Sequence, residues 1–388
     1  MPGFSSMFGG GLPIGSTILA PYSLTDPSWL PCDGSTILRA TYPILGAVLP
    51  SIGTFTPTIR TKSAAPVSQA IATDGTVWVV TGSTSQNIYT TTDGITYTAR
   101  TVPTGTDIRS IIYDGTNFVA AGNDATNHSM YSTTGGTTWS SSSTGGAYPE
   151  PNSNPTCMAW ASTLGTVGRF CIAGGGSNTG SVWTSDNRGV SWTSRTVLGS
   201  PNIYHVCWTG STFLATGSDG HIHASTDGIT WTGFDIPGTS VVATIDSWPI
   251  ISNGAGKVLT SYGSSVITSL DNGATWKIST LYNLAGTALS FANCQPSYTN
   301  NRFFIATSSS QLCSTDLISW LIQPVLNAGA YWVNSYWSYK SGVYLVNVSA
   351  ASLTALTVVE DTGYALLPNT GNSSVAGISN FKSFIKAK

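Results

Sequence analysis

Seven segments of the chain share one arrangement, a short apolar run that ends in small residues. They are TVWVVTG (76–82), NFVAAG (117–122), RFCIAGG (169–175), TFLATGS (212–218), KVLTSYG (257–263), RFFIATS (302–308) and VYLVNVS (343–349). Runs this short, bounded by turn residues, predict buried β-strands rather than helices. Around 203–234 the whole unit is legible. IYHVCWTG is a strand ending in a turn, and STFLATGS is a strand buried on both faces. HIHAST alternates as a half-exposed strand, DG turns the chain, and ITWTGF runs back. Asp-Gly between alternating segments is a strong hairpin signal, because Gly supplies positive φ without steric cost.

The turn itself repeats. ASTDGITW (224–231) has relatives in TTTDGITY (90–97), STTGGTTW (132–139) and TSLDNGATW (268–276). Its closing aromatics are Tyr97, Trp139, Trp192, Trp231, Trp276 and Trp320, spaced 42, 53, 39, 45 and 44 residues apart. A unit of roughly 43 residues is the size of a four-stranded propeller blade. The expected fold is therefore all-β, with seven four-stranded blades over 67–368 and each closing aromatic filling the gap between neighbouring blades. The turn aspartates are Asp93, Asp186, Asp227, Asp271 and Asp316. Gly135 stands where the second copy should have Asp, STDLISW lacks the Gly, and the seventh unit has only EDTGY (360–364). Such variation suits a structural turn better than an obligatory catalytic group. Ser/Thr-x-Asp-x-Gly-x-Thr-Trp resembles the Asp-box (BNR) repeat of sialidase-like propellers.

Residues 12–66 read differently. LPIGSTILAPYS is followed by WLPCDGSTILRATYPILGAVL and TFTPTIR. The strand with Pro13, Gly15, Ser16 and Ile18, the core Trp29-Leu30-Pro31-Cys32-Asp33-Gly34, and Arg39 with Tyr42-Pro43 resemble the phage tail-collar domain of short tail fibres. In that motif Trp29, Cys32, Asp33 and Gly34 are the marker residues. The resemblance implies attachment to a virion tail, with other tail or baseplate proteins as partners and a homo-oligomer, a trimer for preference. A domain of that size is marginal alone and needs the propeller or symmetry mates. Residues 1–11 are expected to be a flexible or docking peptide, and 369–388 a closing or docking tail.

Composition narrows the function. Only 8% of residues are charged and the net charge is -2, so no basic stripe exists for nucleic acid. The N-terminus lacks the basic region of a secretory signal, and no stretch has the apolar length of a membrane span. Six scattered cysteines form no CxxC pair, so zinc-ribbon spacing is absent; they are expected to be buried free thiols, with a strand-pairing disulfide as the alternative. No cofactor is expected.

Chemistry is sparse. Glu150 and Glu360 are the two glutamates, and Arg100, Arg195, Arg169 and Arg302 fall at repeat positions rather than in a converging set. Sialidase chemistry, which requires an arginine triad and a Tyr–Glu nucleophile pair, is disfavoured. Asp74 and Asp114 occupy Asp-Gly turns, and Asp246 is an isolated acid of the kind that usually serves structure. His221 and His223 share a strand face but have no evident third metal ligand. No catalytic or metal residue is assigned. Tyr331, Trp332, Tyr336, Trp337 and Tyr339 in YWVNSYWSY are candidate glycan or partner contacts, since Tyr and Trp stack on sugar rings and also donate hydrogen bonds. The insertion at 144–156 is a second candidate, because long loops on a rigid scaffold carry binding function. The expected function is a virion tail protein, made in the host cytoplasm, that displays a propeller toward a host glycan or protein receptor. A glycan-depolymerising tail enzyme, glycosidase or lyase, is the rival. A cellular assembly factor of the Asp-box type is disfavoured by the collar-like segment.

Overall fold

The computed structural model describes residues 68–82, 87–103, 107–123, 129–141, 154–175, 181–197, 201–235, 249–281, 288–291, 294–307, 310–318, 320–324, 337–340, 343–349 and 352–357. It also describes the backbone of six terminal strands, Thr17–Pro21, Trp29–Pro31, Thr36–Leu38, Tyr364–Leu366, Asn372–Val375 and Ile378–Lys386.

Each of the seven apolar segments forms the second strand of its own antiparallel sheet. Among the described residues six sheets are four-stranded meanders. Blade one is Ser68–Thr73, Trp78–Gly82, Asn87–Thr91 and Thr98–Thr101. Blade two is Asp107–Tyr113, Phe118–Asn123, Ser129–Ser132 and Ser140–Ser141. Blade three is Asn154–Ala161, Arg169–Gly175, Ser181–Ser185 and Thr193–Thr196. Blade four is Ile203–Trp208, Phe213–Gly217, Ile222–Ser225 and Thr232–Phe234. Blade five is Ile250–Ser252, Val258–Tyr262, Ser265–Ser269 and Lys277–Thr280. Blade six is Ser297–Thr299, Arg302–Ala306, Ser310–Ser314 and Leu321–Pro324. The expectation of seven such blades is corrected to six. The seventh apolar segment lies instead in a sheet of three strands, Trp337–Lys340, Val343–Ser349 and Ser352–Thr357.

The first strand of each blade lies against the first strand of the next, and Trp337–Lys340 lies against both Ser297–Thr299 and Ser68–Thr73. The ring is thus closed through the three-stranded sheet. The second strands are deeply buried: all five residues of Phe213–Gly217 and of Arg302–Ala306 are inside. Their β-branched, aromatic and small residues fit a pleated strand packed on both faces.

The first and last described strands pair. Ile378–Lys386 pairs with Thr17–Pro21, Trp29–Pro31 and Asn372–Val375, and Thr36–Leu38 pairs with Tyr364–Leu366. The C-terminal segment therefore shares a sheet with the N-terminal one. Trp29 stands opposite Lys386 in that sheet. Cys32, Asp33 and Gly34 of the collar-like motif lie outside the described residues. So do Glu150, Asp246 and Glu360.

Lys340 clamps the ring. Its Nζ donates to Thr76 O at 2.8 Å and Thr92 O at 2.5 Å, both in blade one, and sits 4.3 Å from the centre of the Trp78 ring. Trp78, Val80 and Leu345 form a buried cluster beneath it. Hydrogen bonds from a charged group and a cation–π contact are each worth about 1–3 kcal/mol. Lys340→Met is therefore expected to lower unfolding free energy by about 2 kcal/mol in urea titrations.

Candidate functional site: two unlike faces of the propeller

Successive strands of a blade run antiparallel, so its connections alternate between the two faces. The repeated turn, between third and fourth strands, shares a face with the turn between first and second strands. The connections between second and third strands, and from one blade to the next, share the other.

The turn face is built as a set of seams. In blade four, Asp227 Oδ1 accepts from Ser225 Oγ at 2.9 Å, Ile229 N at 2.8 Å and Thr230 N at 2.9 Å. Ser225 Oγ accepts from Gly228 N at 2.7 Å, and Trp231 Nε1 donates to Gly228 O at 3.1 Å. Asp93 in blade one repeats this with Thr91, Ile95 and Thr96, and Tyr97 OH reaches Gly94 O at 3.0 Å. Asp316 binds Ser314 and Ile318 N in the same way, with Leu317 held at φ 64° where the others have glycine.

Blades two, three and five use a turn one residue longer, with two consecutive residues at positive φ. These are Gly135 and Gly136, Arg188 and Gly189, and Asn272 and Gly273. Asp271 serves blade five, accepting from Ser269 Oγ at 2.8 Å and Thr275 N at 2.8 Å. In blade three the turn acceptor is Asn187, not Asp186: its Oδ1 takes Ser185 Oγ at 2.9 Å and Ser191 N at 2.9 Å. Asp186 instead pairs with Arg169, Nε to Oδ1 at 2.6 Å and Nη2 to Oδ2 at 2.7 Å. In blade two Thr134 takes the acceptor role, its Oγ1 receiving Thr138 N at 2.9 Å, and Gly135 supplies backbone freedom.

Each closing aromatic packs toward the preceding blade, as expected. Trp231 lies with Ala159, Cys171 and Ala173 of blade three, and Trp139 with Val79 and Ile88 of blade one. Trp192 packs with Val119 of blade two, and its Nε1 donates to Ser129 Oγ there at 2.7 Å. Trp276 packs on Leu214 and Ile222 of blade four, and Trp320 on Leu259 and Val266 of blade five. Tyr97 lies with Leu345 of the three-stranded sheet. Cations complete the seams: Arg188 Nε meets Asp114 Oδ2 at 2.8 Å, Arg169 Nη1 donates to Asp227 O at 2.6 Å, and Lys257 Nζ to Thr315 O at 2.9 Å. Arg100 and Arg195 bond equivalent hydroxyls, Thr90 and Thr184, as their repeat positions imply.

The N–H donors of Thr96 and Ile95 hold the Asp93 carboxyl down at about 2. At Asp271 the Thr275 hydroxyl and N–H act in the same direction. At Asp74 and Asp227 burial pushes upward, but the turn N–H groups of Val77 and Thr76, and of Thr230 and Ile229, outweigh it. A carboxyl lowered on folding stabilises the fold above its unfolded value and loses that contribution as pH falls through the folded one. Melting temperature is accordingly expected to drop from about pH 4 to about pH 2. Asp93→Asn, which keeps an acceptor as Asn187 does but no charge, should flatten that slope, its cost being larger at pH 7 than at pH 2, whereas Asp93→Ala should cost stability at both pH values.

At the opposite face the chain leaves one blade and enters the next: it departs at Ser141, Phe234 and Pro324 and re-enters at Asn154, Ile250 and Trp337. Of the insertion at 144–156, residues 144–153 lie outside the described residues. Tyr331, Trp332 and Tyr336 lie outside the described residues. Trp337 is in a strand opposite Val346, and Tyr339 is half-buried, its ring tilted against Tyr344 with centroids 4.7 Å apart.

Blade four adds two histidine–aspartate pairs at the same face. His221 Nδ1 lies 2.6 Å from Asp235 Oδ1, and His223 Nε2 lies 3.0 Å from Asp219 Oδ2. The sequence pattern put both histidines on an exposed strand face. The structure buries His223 to 1% exposure and leaves only His221 partly exposed. Room for His223 comes from Gly233, where a Cβ would sit 3.2 Å from the imidazole ring. Burial pushes the His223 imidazole down, against the pull of Asp219. His205 is pushed down to about 4 by burial alone. Among the described residues no group of three or more His, Cys, Asp or Glu is placed to hold a metal ion. Cys157, Cys171, Cys207, Cys294 and Cys313 are free, and burial pushes their thiols up, to about 12 for Cys294 and Cys313. No helix among the described residues is long and apolar enough to cross a membrane.

The DUF6242 β-propeller domain model matches residues 41–197. No curated protein matches the sequence. Among solved structures, a streptogramin B lyase superposes with a TM-score of 0.59 at 13% identity, covering 79% of this chain and 98% of that one. Virginiamycin B lyase from Staphylococcus aureus gives 0.59 at 12% identity, covering 79% and 100%. YCF48 bound to a D1 peptide gives 0.52 at 16% identity, covering 88% and 100%. At such identities the likeness is one of fold. The chain is an all-β protein whose body is a β-propeller of four-stranded blades.

Proposed function

We propose that this chain is a bacteriophage tail protein that recognises the host surface through the loop face of its propeller. The supporting observation is the division of labour between the faces. On the turn face, aspartates, glycines and aromatics are spent on hydrogen bonds and blade-to-blade packing. On the other face the chain passes from blade to blade, and the strand ends there, Ser141 and Asn154, Pro324 and Trp337, flank 142–153 and 325–336. In this reading the repeated turns are Asp-box (BNR) turns in a sialidase-like lineage. The segment at 12–66 is a tail-collar-like mount, joined to the C-terminal strand by its pairing. A homotrimer and neighbouring tail or baseplate proteins complete the setting. The low charge favours a glycan or an uncharged protein surface as receptor.

The test is binding of the purified full chain to host bacteria and to their extracted glycans. Saturable binding is expected, with at least a tenfold loss when residues 142–153 are replaced by a short Gly-Ser linker. Absence of binding to cells and glycans would overturn the reading.

A second reading, a glycan-depolymerising enzyme, is favoured by one observation. The Asp235 carboxylate orients His221 on the loop face and leaves its second ring nitrogen without a partner among the described residues, an arrangement suited to proton transfer. The two lyase likenesses show that propellers of this shape host an enzyme. Chain shortening of host polysaccharide that disappears in His221→Gln would decide for it.

A further inference from the structure

Among the described residues the three-stranded sheet has an open outer edge, and the next strand along the chain is spaced to fill it. In blades one, four and six the third strand ends on a hydroxyl residue, Thr91, Ser225 and Ser314, and the fourth begins at Thr98, Thr232 and Leu321. The intervening turns are 92–97, 226–231 and 315–320. In the three-stranded sheet the third strand ends at Thr357, again a hydroxyl residue, and the following strand begins at Tyr364, across 358–363. The connection has the same length. Yet Tyr364–Leu366 pairs with Thr36–Leu38 of the N-terminal segment, as Thr36↔Leu366, Ile37↔Ala365 and Leu38↔Tyr364. Among the described residues Ser352–Thr357 is left paired only with Val343–Ser349.

We infer that the outer edge of Ser352–Thr357 is a docking edge for Tyr364–Leu366, and that this strand exchanges between that edge and Thr36–Leu38. The register at the edge follows from the other blades. Where the turn is of this length, the residue before the hydroxyl pairs with the first residue of the fourth strand, as in Thr90↔Thr98, Ala224↔Thr232 and Cys313↔Leu321. The same rule gives Leu356↔Tyr364, Ala355↔Ala365 and Thr354↔Leu366. Both pairings involve three residues of the same strand, so neither has an advantage in ladder length. An unpaired edge draws in a strand of matching length. Docking there completes the sheet that closes the ring and releases Thr36–Leu38, so ring closure and the seating of the N-terminal segment are coupled through one strand. This coupling holds whatever the propeller recognises.

Two double-cysteine variants of the full chain test the exchange. Ile37→Cys with Ala365→Cys reports the pairing seen here, and Ala355→Cys with Ala365→Cys reports the docked one. Each variant is oxidised, digested and mapped by mass spectrometry, after its melting temperature shows that it folds. Exchange predicts that the linked peptide accumulates in both variants, with yields within about threefold after prolonged oxidation. Linkage in only one variant, or in neither, overturns it. A further readout is proteolysis. The Ala355–Ala365 link should expose the chain around 36–38 to cleavage at least threefold faster than in the reduced form, and an unchanged rate contradicts the coupling.

Discussion

Trp231→Ala is expected to lower unfolding free energy by about 3–5 kcal/mol, the range for emptying a buried aromatic site. Trp231 is buried in blade four, but its neighbours Ala159, Ala161, Cys171 and Ala173 belong to blade three. The loss therefore falls on the seam between two blades as well as on one hairpin. Asp227→Ala should cost only about 1 kcal/mol, since the turn N–H groups it releases at Ile229 and Thr230 are exposed and turn to water. Urea titration of the two variants measures the ratio. Equal costs would mean that the carboxylate, not the aromatic, holds the repeat together.

Gly273→Ala is expected to cost about 2–5 kcal/mol, from a left-handed backbone and from overpacking. Gly273 has φ +87°, and a Cβ there would lie 2.7 Å from Leu214 Cδ1, in the second strand of the preceding blade. Gly136 and Gly189 meet Val79 and Val119 in the same way, at 2.7 and 2.8 Å. Gly254→Ala separates the two contributions. Gly254 has φ +69° with nothing within 4 Å of its Cβ position, so only the backbone cost of about 1–2 kcal/mol applies. If the seam accounts for the difference, Leu214→Ala should lose less stability when combined with Gly273→Ala than alone. Additive losses would remove the seam from the explanation.

Much of this was legible in the sequence. The apolar runs marked the second strands, and the Asp-Gly hairpins marked the blades, because both signals are local. The closing aromatics were legible as gap fillers for the same reason. Asp186 was mistaken for the turn acceptor because it adjoins Asn187; counting two residues from the hydroxyl, as from Ser225 to Asp227, finds Asn187. Burial of His223 was not legible, because it depends on Gly233 across the hairpin. The bonds of Arg169, Lys257 and Lys340 to backbone carbonyls of other blades leave no trace in composition or spacing. The three-stranded sheet was hidden for a sharper reason: its missing strand stands at the regular distance in sequence but pairs with residues more than three hundred positions away.

The sharpest test concerns which face meets the receptor. Hydrogen–deuterium exchange of the full chain, free and bound to host cells or their extracted glycan, maps the contact directly. Protection on binding is expected within 142–153, 236–249 and 325–336, with the turns at 92–97, 226–231 and 270–276 unchanged. Protection of those turns, with the connections of the opposite face unaffected, would contradict the assignment of the repeated turn to structure and of the loop face to recognition.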